Sequence, residues 1–272
     1  MLLLRALLFS VLFVLVASPP NAQSTRLKRL DTGDDSRGWE AVGRLNIDGK
    51  GFCTGALIAP NLVLTAAHCL YNTRTKQRID HAQVEFLAGW RNGRASAYRM
   101  VKRAVVHPEY DYASKATAER VRNDVALLEL HHPIRNTTII PFATDERPAK
   151  GDEIGVVSYA LDRAEAPSLQ EVCGVLARQQ GVLVTSCAVD FGSSGAPIFS
   201  FRDGTPRIVS IVSAKAEVEG LPVSLGTQLE TPLALLRAEL AAGGGVFQDR
   251  GPRMNRITVG QSRDTGAKFI KN

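Results

Sequence analysis

The stretch Phe191-Gly192-Ser193-Ser194-Gly195-Ala196-Pro197 constrains this chain more than any other. Glycines at both flanks take backbone conformations closed to other residues, so the turn can be sharp. A sharp turn can expose the Ser194 hydroxyl and aim the Gly192 and Ser194 amides at one point, as an anion-stabilising pair requires. A serine alone is a weak nucleophile and needs a neighbouring base. The chain has five histidines, His68, His81, His107, His131 and His132, and all of them precede Ser194. That order excludes an elbow whose histidine follows the serine, and such an elbow also needs glycine where Ala196 stands. What fits is histidine first and serine last, with Asp124 between them as the best acid.

Residues 1–22 read as a secretory signal: one positive charge at Arg5, an apolar run to Ala17, then Ser18-Pro19-Pro20-Asn21-Ala22. The apolar core is short for a bilayer span. The expectation is cleavage after Ala22 and a secreted or periplasmic chain with no stable membrane anchor. Four cysteines in an exported chain, Cys53, Cys69, Cys173 and Cys187, suggest two disulfides. Three pairings are open, of which the sequential one, Cys53 with Cys69 and Cys173 with Cys187, closes two short loops. The formal net charge of +6 argues for weak attraction to acidic surfaces and says nothing of fold. No cluster of arginine with aromatics marks a nucleic-acid module, so no nucleic-acid partner is expected.

Along the chain, residues 23–38 are polar and charged without period and read as a flexible N-terminal arm. Strands follow over 41–47, 52–58 and 62–65, the last running into Ala66-Ala67-His68-Cys69. Further strands are predicted over 83–89 and 97–106, then a polar loop with a short helix over 111–122. In Asn123-Asp124-Val125-Ala126-Leu127-Leu128-Glu129-Leu130 an aspartate stands at the mouth of a buried apolar strand, which is costly unless the acid is paired. His107 reads as structural. His131-His132-Pro133 reads as surface, being poor metal geometry. The second half offers a strand at 154–159, a hairpin of 169–176 and 181–185, and a strand at 208–213. Leu233, Leu235, Leu236 and Leu240 give 231–241 helical spacing. Residues 242–272 read as a basic, disordered tail.

The run from Cys53-Thr54-Gly55 through Val63-Leu64-Thr65-Ala66-Ala67-His68-Cys69 closely resembles the trypsin/chymotrypsin-like serine proteases. So does the aspartate run at Asp124, and Gly192-Ser193-Ser194-Gly195-Ala196-Pro197 stands where that family has G-D-S-G-G-P. The resemblance covers residues 39–241. It implies an all-β fold of two six-stranded antiparallel β-barrels of the chymotrypsin-like type, the first at about 39–140 and the second at about 150–230, with a C-terminal helix at 231–241. It implies a catalytic triad of His68, Asp124 and Ser194, with an oxyanion hole from Gly192 and Ser194. Ala188, Phe191, Ser213, Ala214 and Lys215 map to substrate binding. Polypeptides are the implied substrates, and no cofactor or metal is called for.

Three departures from the family pattern matter. Ser193 replaces the aspartate that captures a new N-terminal amine in animal enzymes, so removal of the arm is not expected to switch activity on. In this respect the chain is more similar to bacterial and glutamyl-endopeptidase-like branches. Ala188 replaces the acid that reads basic side chains. Lys215 stands where glycine keeps the pocket open, within reach of Asp190, which suggests a small apolar or acidic preference. The alternative reading is a catalytically inactive homologue that acts as a binding protein.

Overall fold

A computed structural model of the protein describes residues 25–115 and 117–247. The expected signal over 1–22 and all of the basic tail beyond residue 247 lie outside the described residues. The chain opens with β1 (Lys28–Arg29) and then builds a first barrel. Its strands are β2 (Val42–Ile47), β3 (Gly51–Ala59), β4 (Leu62–Thr65), β5 (Val84–Ala88), β6 (Ala97–Val106) and β7 (Ala126–Leu130). They close in the order β2-β3-β4-β7-β6-β5, every pair antiparallel. In β2 the alternation is direct: Val42, Leu45 and Ile47 are buried while Arg44 and Asn46 lie at the wall. Asp48 and Gly49 carry the chain into β3 with φ of 51° and 61°, the left-handed backbone of a tight hairpin.

The second barrel comprises β8 (Glu153–Ser158), β9 (Ser168–Gln179), β10 (Val182–Thr185), β11 (Pro197–Ser200), β12 (Arg207–Val218) and β13 (Leu221–Thr227). Its order is β8-β9-β10-β13-β12-β11, and the pairings of β8 with both β9 and β11 close the ring. Two helices interrupt the strands, α1 (Ala118–Arg122) before β7 and α2 (Glu230–Ala241) after β13. The sulfurs pair sequentially, Cys53 with Cys69 and Cys173 with Cys187. This is the chymotrypsin-like double barrel that the sequence implied.

Aromatic packing joins the two barrels. The Phe199 ring on β11 lies 4.8 Å from that of Phe142, in the connection between barrels, and 5.1 Å from that of Trp39. Edge-on aromatic pairs of this kind add to the stabilisation from area burial alone. α2 crosses back to the first barrel, burying Leu233, Leu236 and Leu240 beside β6 and β7.

Two expectations need correction. The arm is packed rather than flexible over its described residues. Lys28 and Arg29 pair with Leu169 and Ser168 on β9, and the Thr25 amide donates to Val172 O at 2.9 Å. Leu30 is fully buried in the main core. A lone leucine among charges gives no periodic signal, yet one buried leucine beside a free strand edge suffices to dock a short segment. The start of the tail is docked as well: the Ala104 amide donates to Gly245 O, and the Phe247 amide donates to His81 Nδ1.

Candidate active site

His68 sits on a single 3-10 turn, Ala67–Leu70, that follows β4 directly. Ala66 and Ala67 are fully buried, and Cys69 in the same turn is tied to Cys53 on β3. The imidazole is thereby fixed at the end of a barrel strand. Asp124 comes from the neighbouring strand of the same barrel, between α1 and β7, which pairs with β4. Thr117 caps α1, its Oγ1 accepting from the Arg120 amide, and the helix stops at Asn123. The chain then enters β7 with Asp124 buried, only 3% exposed.

A buried carboxylate needs partners, and Asp124 has three. Its Oδ1 accepts from the His68 backbone amide at 2.8 Å, and its Oδ2 pairs with His68 Nδ1 at 2.7 Å. Ser213 Oγ, from β12 of the second barrel, donates to the same Oδ2 at 2.5 Å. Burial pushes the His68 imidazolium pKa down, but the charge and hydrogen bond of Asp124 outweigh it, and the net direction is up. Arg120, held 5.1 Å over the Tyr112 ring, acts against the charged imidazole from nearby.

Ser194 arrives from the second barrel on the turn ahead of β11. Gly192 and Gly195 have φ of 97° and 76°, so both glycines are required by backbone alone. Space forbids a side chain too: a Cβ on Gly195 would stand 2.1 Å from Thr65 Oγ1, and one on Gly192 would stand 2.5 Å from the Phe52 ring. The turn is bolted to the first barrel by the Thr54 amide donating to Ser194 O and by Thr54 Oγ1 donating to Gly192 O. The amides of Gly192 and Ser194 donate to no protein acceptor among the described residues.

His68 and Ser194 line one cleft of about 1030 Å³ between the barrels. Gly192, Phe191, Ser213, Ala214 and Lys215 line the same cleft. Ala188 does not. It is exposed, and its amide donates to Gln170 Oε1 on β9 at 2.7 Å, which anchors it away from the cleft wall; Val189 and Val212 line the cleft instead. Lys215 Nζ reaches across to Asp190 Oδ1 at 2.8 Å and lies 4.8 Å over the Phe191 ring. That hydrogen bond holds the Asp190 carboxyl below its usual pKa.

Residues that sequence reasoning overlooked complete the cleft. Phe52 and Leu161 line it, and Thr54 clamps its floor. Ser213 was assigned to substrate, yet its hydroxyl is spent on Asp124. A polar threonine in the otherwise apolar Cys53-Thr54-Gly55-Ala56-Leu57 run was the available hint for Thr54, which the structure buries fully. The sulfurs of Cys53 and Cys69 lie near the His68 ring, but they are bonded to each other and offer no thiolate to a metal.

Comparison with known proteins bears on the family and the fold. A sequence model of the family "Trypsin" matches residues 32–222. Trypsin of Simulium vittatum is 32% identical over 190 residues, covering 59% of this chain and 69% of that protein. Mannan-binding lectin serine protease 1 of Homo sapiens is 28% identical over 126 residues, covering 42% of this chain; the chain spans only 17% of that protein's length. Among solved structures, a Glu endopeptidase in complex with MPD superposes with a TM-score of 0.65 at 18% identity, covering 79% of this chain and 96% of that one.

Proposed function

The chain belongs to the trypsin family of serine proteases, and from that premise we propose that it is a secreted serine endopeptidase working through His68, Asp124 and Ser194. The observation that carries the proposal is the grip of one buried carboxylate on both the backbone and the ring of His68, in a cleft that His68 shares with Ser194. With Nδ1–H held by Asp124, the lone pair of Nε2 is left to accept the Ser194 proton. The Ser194 oxygen attacks a peptide carbonyl and the imidazolium returns the proton to the leaving amine. Water then releases the acyl group by the same steps reversed. Negative charge on the carbonyl oxygen falls to the Gly192 and Ser194 amides, which have no other acceptor among the described residues.

The substrate pocket is read as taking a small apolar or an acidic side chain. Val189, Val212 and Ala214 supply apolar wall, and the Lys215–Asp190 pair adds a charge that a carboxylate could compete for. Export is supported by two disulfides, which persist in oxidising compartments. No helix among the described residues is long and apolar enough to cross a membrane.

Treatment with a fluorophosphonate probe tests the mechanism. The wild type should form one covalent adduct at Ser194, and Ser194→Ala should form none. A folded wild type that stays unlabelled would support the binding-protein reading and reject the enzyme.

A further inference from the structure

Beneath the nucleophile turn lies a buried cation that the mechanism above does not use. Arg163 ends the short 3-10 turn Leu161–Arg163 and is only 8% exposed. Its Nη2 donates to Ser158 Oγ at 3.2 Å and to Ser193 Oγ at 3.3 Å, and both serines are fully buried. Its Nε is buried with no partner among the described residues. Its one ion pair among the described residues is with Asp162, whose side chain is 71% exposed and well solvated. Burial pulls the guanidinium pKa below its usual value, opposed by Asp162 and Asp190, but a guanidinium stays charged at neutral pH.

Stability does not account for this arrangement. Removing a guanidinium from water without a buried counter-ion is unfavourable. The two serines do not depend on it either. Ser193 Oγ donates to Tyr159 O at 3.1 Å, lies 3.2 Å from Ser158 Oγ, and accepts from the Asp190 amide. What the cation does occupy is a specific place. Ser193 is the residue between Gly192 and Ser194, so the charge is one hydrogen bond from the side chain of the residue that joins the two oxyanion amides. The Leu161 amide, from the same 3-10 turn, donates to Phe191 O and fixes that turn to the other side of the loop.

We propose that Arg163 is a positioning residue for catalysis, a fixed buried charge whose field and hydrogen bonds favour the oxyanion at the Gly192 and Ser194 amides. The proposal rests on Ser194 being the nucleophile. A preorganised charge of this kind acts when negative charge develops on the carbonyl oxygen and needs no reorganisation at that moment. The identity of Ser193 fits. Its hydroxyl accepts a hydrogen bond from Arg163 and adds no charge of its own beside the guanidinium.

Arg163→Met and Arg163→Lys test it, with the rate of Ser194 labelling by a fluorophosphonate probe and the melting temperature measured on the same samples. Direct loss of an oxyanion donor costs about 10²–10³ in rate, so a charge one residue further back is expected to slow labelling by about 10- to 100-fold. Arg163→Met should melt at the wild-type temperature or above it, since an apolar isostere of a buried ion is often neutral or stabilising. Arg163→Lys should recover a large part of the rate. Labelling of Arg163→Met within twofold of wild type would overturn the proposal. So would a slow Arg163→Met whose loss matches its loss of folded protein, or an Arg163→Lys no faster than Arg163→Met. A wild type that is never labelled would overturn the nucleophile assignment itself, and this proposal with it.

Discussion

Replacing Asp124 with asparagine isolates the part of the site that decides the charge and tautomer of His68. Three donors converge on two carboxylate oxygens: the His68 amide on Oδ1, and the His68 ring and Ser213 Oγ on Oδ2. Asparagine offers one oxygen and one NH2. If the oxygen faces the ring, the NH2 opposes the His68 backbone N–H in a site 3% exposed, at a cost of about 1–3 kcal/mol. If the oxygen faces the backbone N–H, the NH2 faces the ring. Ser213 can then rotate its hydroxyl to accept, and Nδ1 can accept once the ring changes tautomer. The backbone amide is the one donor that cannot adapt, so the second orientation wins. Nε2 then carries the hydrogen and cannot take the Ser194 proton. An exchange of this kind in a Ser-His-Asp triad lowers kcat by about 10⁴, which is about 5.4 kcal/mol of transition-state stabilisation. The rate of fluorophosphonate labelling across pH is the assay. In the wild type it should rise with pH through a His68 pKa lying above the ordinary histidine value, since the neutral ring is the base. Stability should run the other way: a raised folded-state pKa stabilises most fully below about pH 6.5 and is lost as pH rises through the folded value. Asp124→Asn that labels within tenfold of wild type at pH 8 would refute the tautomer argument.

Three further perturbations follow from the same geometry. Gly195→Ala places a Cβ 2.1 Å from Thr65 Oγ1 and 2.4 Å from Thr54 O in a left-handed backbone, and should lower the melting temperature sharply and abolish labelling; an active, wild-type-stable variant would contradict the turn. Asp190→Asn removes the partner of Lys215 from an ion pair that is half exposed, so stability should change by less than about 1 kcal/mol, while peptide-library cleavage shifts toward acidic residues at the scissile bond. An unchanged profile there, and again in Lys215→Gly, would reject the acidic preference. Leu30→Ala should cost about 2–4 kcal/mol in denaturant unfolding because that side chain is fully buried, and it should not raise activity; a variant that gains activity would make the arm an inhibitory segment.

How much of this could be read beforehand depended on whether a residue's environment was local in sequence. The strand 62–65 and the strand 97–106 lie where alternation and turn residues put them, and α2 begins within one residue of the leucine spacing. β13 was not marked as a strand, because Pro222 and Gly226 both weaken strand character; the structure tolerates them because Pro222 is at the exposed start of the strand and Gly226 lets Ser210 Oγ approach its backbone. The triad candidates stood out because each lies in a distinctive local run. Their supporting groups did not. Thr54 acts on a turn roughly 140 residues away, shown by its bond to Gly192 at a separation of 138, and Ser213 acts on Asp124 at a separation of 89. Ala188 was misplaced for a related reason: correct counting from Ser194 along the chain says nothing about Gln170, which takes the Ala188 amide from a neighbouring strand. The specificity pocket is therefore the least legible part of the molecule. Its charge depends on whether Asp190 and Lys215, 25 residues apart, meet across its mouth. The β11–β12 hairpin brings this part of β12 to the nucleophile turn, with the Gly195 amide donating to Val212 O and the Val212 amide to Ala196 O. Selectivity in such a site is a property of the register between β11 and β12, and substitutions that alter that register should move it as surely as substitutions in the pocket itself.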